Sequence, residues 1–409
     1  MNILTFNCGS SSLTYKVFDS ESGRDGKAIL SGKAHRVGVK GTQPSFIEHR
    51  YGGETKKDVV PINNHREAAA LVLDYIESQQ LEIGAVGHRF VHGGSRFKKS
   101  VLIQDSVMKD LQSCIPLAPI HNPIAMDVID ETIKKIPKSA QYATFDTAFH
   151  SAIPDYAYTY PLPEKIRRMF QFRKYGFHGL SYSYVVSAAS KYLNRPVGDL
   201  KIVACHLGTG GSSVAAIEKG KSLDTSMGYS PLSGLVMSTR SGDMDPMLTL
   251  YLLAIYGFRS EELEQVLNKV SGLLGVSETS SDIRDLIALF DKGDKEGEQA
   301  NLAFNMYVHR LKKYIGSYIL VLKGVDVLIF TDDIGVQNKH VREKVCEDME
   351  WCGINLDNEA NQNAPTDRIA SLNAEESKTR ILSIPTDEEI VIFREGLTLL
   401  GGQGDDSSI

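Results

Sequence analysis

One pattern occurs twice in this chain, and it narrows the fold more than any other feature. Near the N-terminus, Ile3 to Phe6 is a short apolar run, Asn7-Cys8-Gly9-Ser10-Ser11-Ser12 a small polar turn, and Leu13 to Phe18 a second run of strand character. About half the chain later the order repeats: Ile202 to Cys205, the turn Leu207-Gly208-Thr209-Gly210-Gly211-Ser212-Ser213, then Val214 to Ile217. Each hairpin continues into a further β-like piece, Ala28 to Val37 and Lys221 to Asp224. A repeat at this separation predicts a duplicated α/β domain with one anion-gripping turn per copy. Glycine admits positive φ and lets a phosphate approach the backbone closely, so Gly208, Gly210 and Gly211 are expected to provide both. A Gly-rich hairpin alone is often only a turn; its recurrence is the informative part.

The 409 residues exceed what one simple core accommodates, so about two domains are expected. The net charge of -6 argues against nucleic acid, whose binders carry a basic patch. No apolar run approaches the ~20 residues that span a bilayer. The opening MNILTFNCGSSS has neither a basic region nor a long apolar one, so no signal peptide is expected. Cys8, Cys114, Cys205, Cys346 and Cys352 are scattered, and fit a reducing cytoplasm better than a zinc site or a disulfide framework.

Along the chain, helical spacing covers His65 to Gln79, Ser106 to Cys114, Pro123 to Ile136, Ser181 to Leu193, Asp245 to Ile255, Glu261 to Lys269, Ala300 to Leu322 and Val341 to Trp351. Strands are expected at Ile83 to Val91, Val325 to Thr331 and Thr379 to Ile384, and a polar loop at Ala360 to Arg368. Arg89 and His92 fall at a strand's C-terminal end, where open α/β sheets bind ligands; a salt bridge is the alternative for Arg89. His121 and Asn122, in a Pro-rich loop, are either ligand contacts or turn caps. Asp146 is placed either to hold Mg²⁺ or to cap a helix. The glycines around Phe177-His178 force a path that either aims the imidazole or packs it. Arg240 among Ser238, Thr239, Ser241 and Gly242 suits a bidentate clamp on a phosphoryl or carboxylate group. Asp282 caps a helix starting near Ile283, with Arg284 either in its first turn or facing a base. Asp387-Glu388-Glu389 opens a last helix to Leu400, and disorder is expected after Gly401.

Taken together, these stretches resemble the acetate kinase family, within the class of acetate and sugar kinases, Hsp70 and actin. The resemblance rests on NCGSSS at Asn7, GHRFVHGGS at Gly87, LAPIHNP at Leu117, FDTAFH at Phe145, YGFHGLSY at Tyr175, HLGTGGSS at His206, DTSMG and STRSGDMDP from Asp224, SGLLGVSETSSDIRD at Ser271 and PTDEE at Pro385. The motifs occur in the family's order and span almost the whole chain. The resemblance implies two duplicated ribonuclease-H-like (actin-like ATPase) domains with an interdomain active-site cleft. The N-terminal domain would comprise residues 1–150 with 385–409. The C-terminal domain, 151–384, would carry the donor side and the interface of a homodimer. The implied reaction is phosphoryl transfer between ATP and a short carboxylate, with Mg²⁺ or alternatively Mn²⁺. Asp146, His178 and Arg240 are implied as catalytic, with Arg89 and Arg240 clamping the carboxylate and the phosphoryl group. Val91, Leu117 and Pro231 would form the apolar wall of the acyl site, and Asn7 and Glu388 would sit by the metal. The donor side would take Thr14, Lys16, His206, Leu207, Gly208, Thr209, Gly210, Asp282, Ile283, Arg284, Asp333, Ile334 and Gly335.

Departures from the family pattern cluster on that donor side. Thr14 stands where the family has lysine, with Lys16 two residues on along the same strand face. Thr209 replaces an asparagine, and the FT-GIGEN run reads FTDDIGVQN, so that Asp333 replaces a glycine. Such changes resemble the minor branch that uses pyrophosphate, with a narrowed adenosine pocket; the other reading keeps ATP with Asp333 turned to solvent. Propionate is an alternative acceptor, because one methylene alters discrimination by only ~1–3 kcal/mol. An actin- or Hsp70-like ATP-binding module is the non-enzymatic alternative.

Overall fold

A computed structural model describes residues 1–39, 41 and 43–401; the tail expected to be disordered lies outside the described residues. The chain divides into two compact units. One is Met1–Phe149 with the C-terminal segment from Asp387, and the other is His150–Thr386.

The first unit is an eight-stranded sheet built from β1 (Asn2–Cys8), β2 (Ser12–Asp19), β3 (Ala28–His35), β4 (Phe46–Tyr51), β5 (Glu54–Val59), β6 (Ile83–Phe90), β7 (Val101–Leu102) and β8 (Ala140–Phe145). Their spatial order is β5-β4-β3-β2-β1-β6-β8-β7. Strands β1 to β5 pair antiparallel in sequence, whereas β1–β6 and β6–β8 are parallel. Alternation along the strands gives each face its own cover. Leu4, Phe6, Leu13, Tyr15 and Val17 pack with Ala69, Val72 and Leu73 of helix His65–Ser78 and Val128 of helix Asn122–Lys135. On the opposite face Phe18 stacks on Phe393 of helix Glu388–Leu400, with ring centroids 4.6 Å apart. The Tyr142 hydroxyl donates to the carbonyl of Ile392 on the same helix. The β4–β5 hairpin was not anticipated, although its signal is in the sequence. Tyr51 pairs with Glu54 across a two-residue Gly52-Gly53 turn with φ of 60° and 87°, the positive values a tight hairpin demands.

The second unit is a six-stranded sheet of β9 (Lys201–Gly208), β10 (Gly211–Glu218), β11 (Lys221–Thr225), β12 (Val327–Thr331), β13 (Ala370–Ser371) and β14 (Arg380–Ile384), ordered β11-β10-β9-β12-β14-β13. Again the first three strands are antiparallel and β9–β12 and β12–β14 are parallel. The core of the first sheet, β3-β2-β1-β6-β8 with antiparallel β7 at its edge, has the same order and sense as β11-β10-β9-β12-β14 with antiparallel β13. Two matching five-strand orders of this complexity establish the duplication expected from the hairpins. The 28-residue helix Lys295–Leu322 buries Phe304, Tyr307, Leu311 and Ile315 in the core that Val203, Val214 and Leu328 also line.

Two expected boundaries are corrected. The helix expected over Val341 to Trp351 is Lys339–Cys346, followed by a separate 3₁₀ turn at Glu350–Cys352. Asp348 takes φ 59°, which an α-helix cannot continue through. The loop expected from Ala360 begins inside a short helix, Asn358–Gln362, capped by the Asp357 carboxylate.

Candidate active site

In the first unit, β1, β6 and β8 are adjacent and parallel, so their C-terminal ends share one sheet edge. That topology delivers Asn7, Arg89 and Asp146 together from far apart in sequence. Arg89 and Asp146 form a bidentate pair, Nε to Oδ1 at 2.9 Å and Nη2 to Oδ2 at 2.6 Å. Arg89 Nη1 also donates to Asn7 Oδ1 at 2.9 Å and lies 3.1 Å from Glu388 Oε2. The Asn7 amide donates to Glu388 at 2.9 Å and Glu389 at 2.8 Å. Lys16 is held by Asp387 at 2.6 Å and Glu389 at 3.3 Å. Burial opposes the charges on Arg89 and Lys16, and the surrounding carboxylates overcome it, so both pKa values are raised. The Cys8 thiol beside this cluster is pushed up to about 12 by burial, although Arg89 pulls the other way.

Four carboxylates, Asp146, Asp387, Glu388 and Glu389, meet two cations, Arg89 and Lys16, leaving two negative charges in excess. Carboxylate and amide oxygens are the hard donors that Mg²⁺ prefers; among the described residues no group of three or more His, Cys, Asp or Glu side chains is arranged around a cation position, so the cluster offers one or two ligands and substrate oxygens would supply the rest. Nearby, Asn122 braces the chain: it accepts from the His92 N–H and donates to the carbonyls of His92 and Cys114. It is a buried structural brace. Val91 is buried, and Leu117 packs against the cluster of Phe90, Phe97 and Cys114. Thr14 pairs with Asn7 in the β1–β2 ladder.

In the second unit, His206 on β9 and Asp332 and Asp333 after β12 share the equivalent sheet edge. His206 Nε2 lies 3.2 Å from the Asp332 carboxylate and Nδ1 lies 2.9 Å from Ser181 Oγ. His178 is the left-handed N-cap of helix Gly179–Leu193, with φ 60°. Its ring stacks on His206 at 4.0 Å, and its Nδ1 lies 2.8 Å from Ser213 Oγ. The glycines of the β9–β10 turn correct an expectation. None of Gly208, Gly210 and Gly211 takes a positive φ. Two of them are needed for space instead: a Cβ at Gly208 would fall 2.0 Å from Asp332 Oδ2, and one at Gly211 would fall 3.0 Å from Arg240 Nη1 and 3.6 Å from His178 Nε2. Gly211 therefore keeps open the spot that Arg240 and His178 both face. Gly211→Ala is expected to lower turnover at least about tenfold while leaving the fold intact, because its backbone suits any residue; kinetics alongside a thermal melt check this.

Arg240 sits in a loop pinned by Gly272, where a Cβ would be 2.1 Å from the Met237 carbonyl. Among the described residues its Nη1 reaches the Pro231 carbonyl at 3.5 Å and the Met237 sulfur at 3.9 Å. Among the described residues no carboxylate lies within ion-pair distance of Arg240, and burial lowers its pKa. The Asp333 carboxylate accepts from the Thr209 N–H at 2.9 Å and hydroxyl at 2.7 Å. The two departures from the family pattern thus bind each other. Leu207 and Ile334 are buried in the core, and the carbonyls of Gly335 and Val336 are held by the buried guanidinium of Arg342 at 3.0 and 2.6 Å. Burial brings the Arg342 pKa down to about 10. Arg284 pairs with Asp282, the cap of the short helix opening at Ile283. Sequence reading missed Ser213, Tyr182, Asp332 and Arg342; the second serine of HLGTGGSS and the tyrosine of HGLSY were the available signals for the first two.

The duplicated sheet, two turn regions at equivalent edges and an unpaired arginine beside a histidine define a phosphotransferase of the actin-like ATPase fold. The chain matches the acetokinase family over residues 2–394. It is 44% identical to an acetate kinase of Caldicellulosiruptor saccharolyticus over 98% of this chain and 100% of that one. The crystal structure of acetate kinase from Entamoeba histolytica superposes with a TM-score of 0.88 at 44% identity, covering 98% of this chain and 100% of that one. A propionate kinase from Francisella tularensis gives 0.86 at 34% identity, covering 96% and 98%. This chain belongs to the acetokinase family, whose members are phosphotransferases with a carboxyl group as acceptor.

Proposed function

We propose that this protein is an acetate kinase, transferring a phosphoryl group reversibly and in line between ATP and acetate to give ADP and acetyl phosphate. The observation that supports this best is Arg240, a half-buried guanidinium without a carboxylate partner among the described residues, facing the same spot as His178 Nε2. An unpaired buried cation is costly unless an anion completes it. Acetate is already an anion at neutral pH, so no strong base is needed to activate it. The difficulty is bringing anion onto anion, and catalysis rests on positioned cations and donors. The Arg240 fork and His178 Nε2 would stabilise the phosphoryl oxygens. Asp146 is poorly suited to be a base, since both its oxygens accept from Arg89; it orients Arg89 and contributes charge toward a metal. Arg89, thus oriented, clamps the acceptor carboxylate with the part of its fork left unengaged. Val91 and Leu117 would line the acyl site on the first unit. Asn7 and Glu388 would sit by Mg²⁺, which when bound screens the charge between donor and acceptor. On the donor side His206, Gly208, Thr209, Gly210, Asp282, Arg284, Asp333 and Gly335 would line the nucleotide site, with Leu207, Ile283 and Ile334 packed in the core beneath them. The five free thiols suit a cytoplasmic setting.

The test supplies acetyl phosphate and Mg²⁺ with either ADP or inorganic phosphate. Rapid ATP formation supports the reading. Pyrophosphate with little ATP would keep the acyl chemistry and reassign the donor. No turnover with either acceptor would point first to a different acyl chain, such as propionate, and then to a binding module.

The protein acts as a homodimer through helix Pro246–Ala254. None of its residues is buried, and Leu248, Leu250 and Tyr251 are 50%, 52% and 46% exposed. From Pro246 to Phe258 there is no charged side chain. A helix that is apolar all round needs a cover, and an uncharged one suits its own copy across a two-fold axis. Leu250→Glu is expected to shift sedimentation from dimer to monomer; an unchanged sedimentation coefficient would exclude this face.

A further inference from the structure

We propose that Tyr182 and Ser213 are positioning residues that hold the His178 imidazole with its hydrogen on Nε2, aimed at the spot Arg240 also faces. The inference rests on the phosphotransferase reading and adds to it the tautomer that makes His178 a donor. Ser213 Oγ stands between two partners, His178 Nδ1 at 2.8 Å and the Tyr182 hydroxyl at 2.5 Å. Both Tyr182 and Ser213 are fully buried. A phenol is a stronger donor than an aliphatic alcohol, so the Tyr182 hydrogen goes to Ser213 Oγ. The single Ser213 hydrogen then goes to His178 Nδ1, and an imidazole that accepts at Nδ1 carries its hydrogen at Nε2. Nε2 is the atom 3.6 Å from where a Gly211 Cβ would stand.

The sequence places the relay economically. Ser181 and Tyr182 are consecutive in the first turn of the helix that His178 caps, so one turn carries a hydroxyl to His206 and another toward His178. The two stacked rings are thereby oriented from the same element. Holding a catalytic histidine in one tautomer has large kinetic weight: the wrong tautomer costs about 10⁴ in the Ser-His-Asp hydrolases.

The test uses the full-length protein with ¹⁵N-labelled histidine, the His178 signals being assigned by their loss in His178→Gln. The expected spectrum has a pyrrole-type Nε2 and a pyridine-type Nδ1. Ser213→Ala should bring in the second tautomer and lower kcat by about 10- to 100-fold, with KM for acetyl phosphate nearly unchanged, as for second partners of a functional histidine. Ser213→Thr, which keeps the hydroxyl, should restore both. Hydrogen on Nδ1 in the unmutated protein would overturn the proposal, as would wild-type kcat in Ser213→Ala. Reading the tautomer needs no turnover, only the folded His178→Gln protein for assignment, so it decides the relay even if no acetyl phosphate is made.

Discussion

Arg240→Ala is expected to reduce kcat by about 10²- to 10³-fold, the cost of removing one pre-aimed donor from a transition-state site. The same change should leave the thermal midpoint unchanged or slightly raised. The two expectations follow from one fact: among the described residues no carboxylate is within ion-pair distance of Arg240, and burial alone lowers its pKa. A cation desolvated without a partner does not stabilise the fold, so its removal relieves a penalty. Arg240→Lys keeps the charge and loses the planar fork, and should recover only part of the lost rate. A large fall in melting temperature with modest loss of turnover would reverse the assignment and make Arg240 structural.

Asp146→Asn is expected to do the opposite to stability. The Arg89–Asp146 pair is bidentate, with the two side chains 15% and 1% exposed. Breaking a buried pair leaves an uncompensated charge and costs about 3–5 kcal/mol. Glu388 remains 3.1 Å from Arg89 Nη1, so the loss should fall near about 3 kcal/mol, read by denaturant titration. Arg89→Gln combined with Asp146→Asn should lose less than the sum of the single changes, because the partners share one interaction. Turnover of Asp146→Asn should fall steeply and require more Mg²⁺, since the cluster's excess of two carboxylates drops to one. Strong residual activity with unchanged Mg²⁺ dependence would remove Asp146 from both roles.

Much of this architecture was legible in the sequence because local chemistry repeats. The two hairpins carry strand–turn–strand patterns that survive any tertiary context, and the sheet orders bear out the duplication. Asp387 to Leu400 read as a capped helix because the cap and the apolar periodicity are both local. What escaped was set by distance. That Arg89 is engaged by Asp146, Asn7 and Glu388 depends on three parallel strands ending at one edge and on a helix from the other end of the chain. The glycines of the second turn looked like positive-φ residues, yet the Asp332 and Arg240 side chains, both remote in sequence, are what Gly208 and Gly211 make room for. Thr209 and Asp333 each read as an isolated departure, and only the strand pairing of β9 with β12 reveals them as one hydrogen-bonded pair.

The order in which the chain leaves the ribosome gives the carboxylate cluster a further meaning. His150–Thr386 is continuous, whereas the first unit is closed only by the segment from Asp387, which is translated after all of the second. Until Glu388 and Glu389 emerge, Asn7 and Lys16 lack their carboxylate partners and Arg89 has only part of its own. A nascent chain stalled or clipped before Asp387 would therefore retain an open sheet face around Phe18 and an unneutralised cationic edge. The last-made helix of the described chain is thus the one that closes the first unit's sheet and completes its carboxylate cluster.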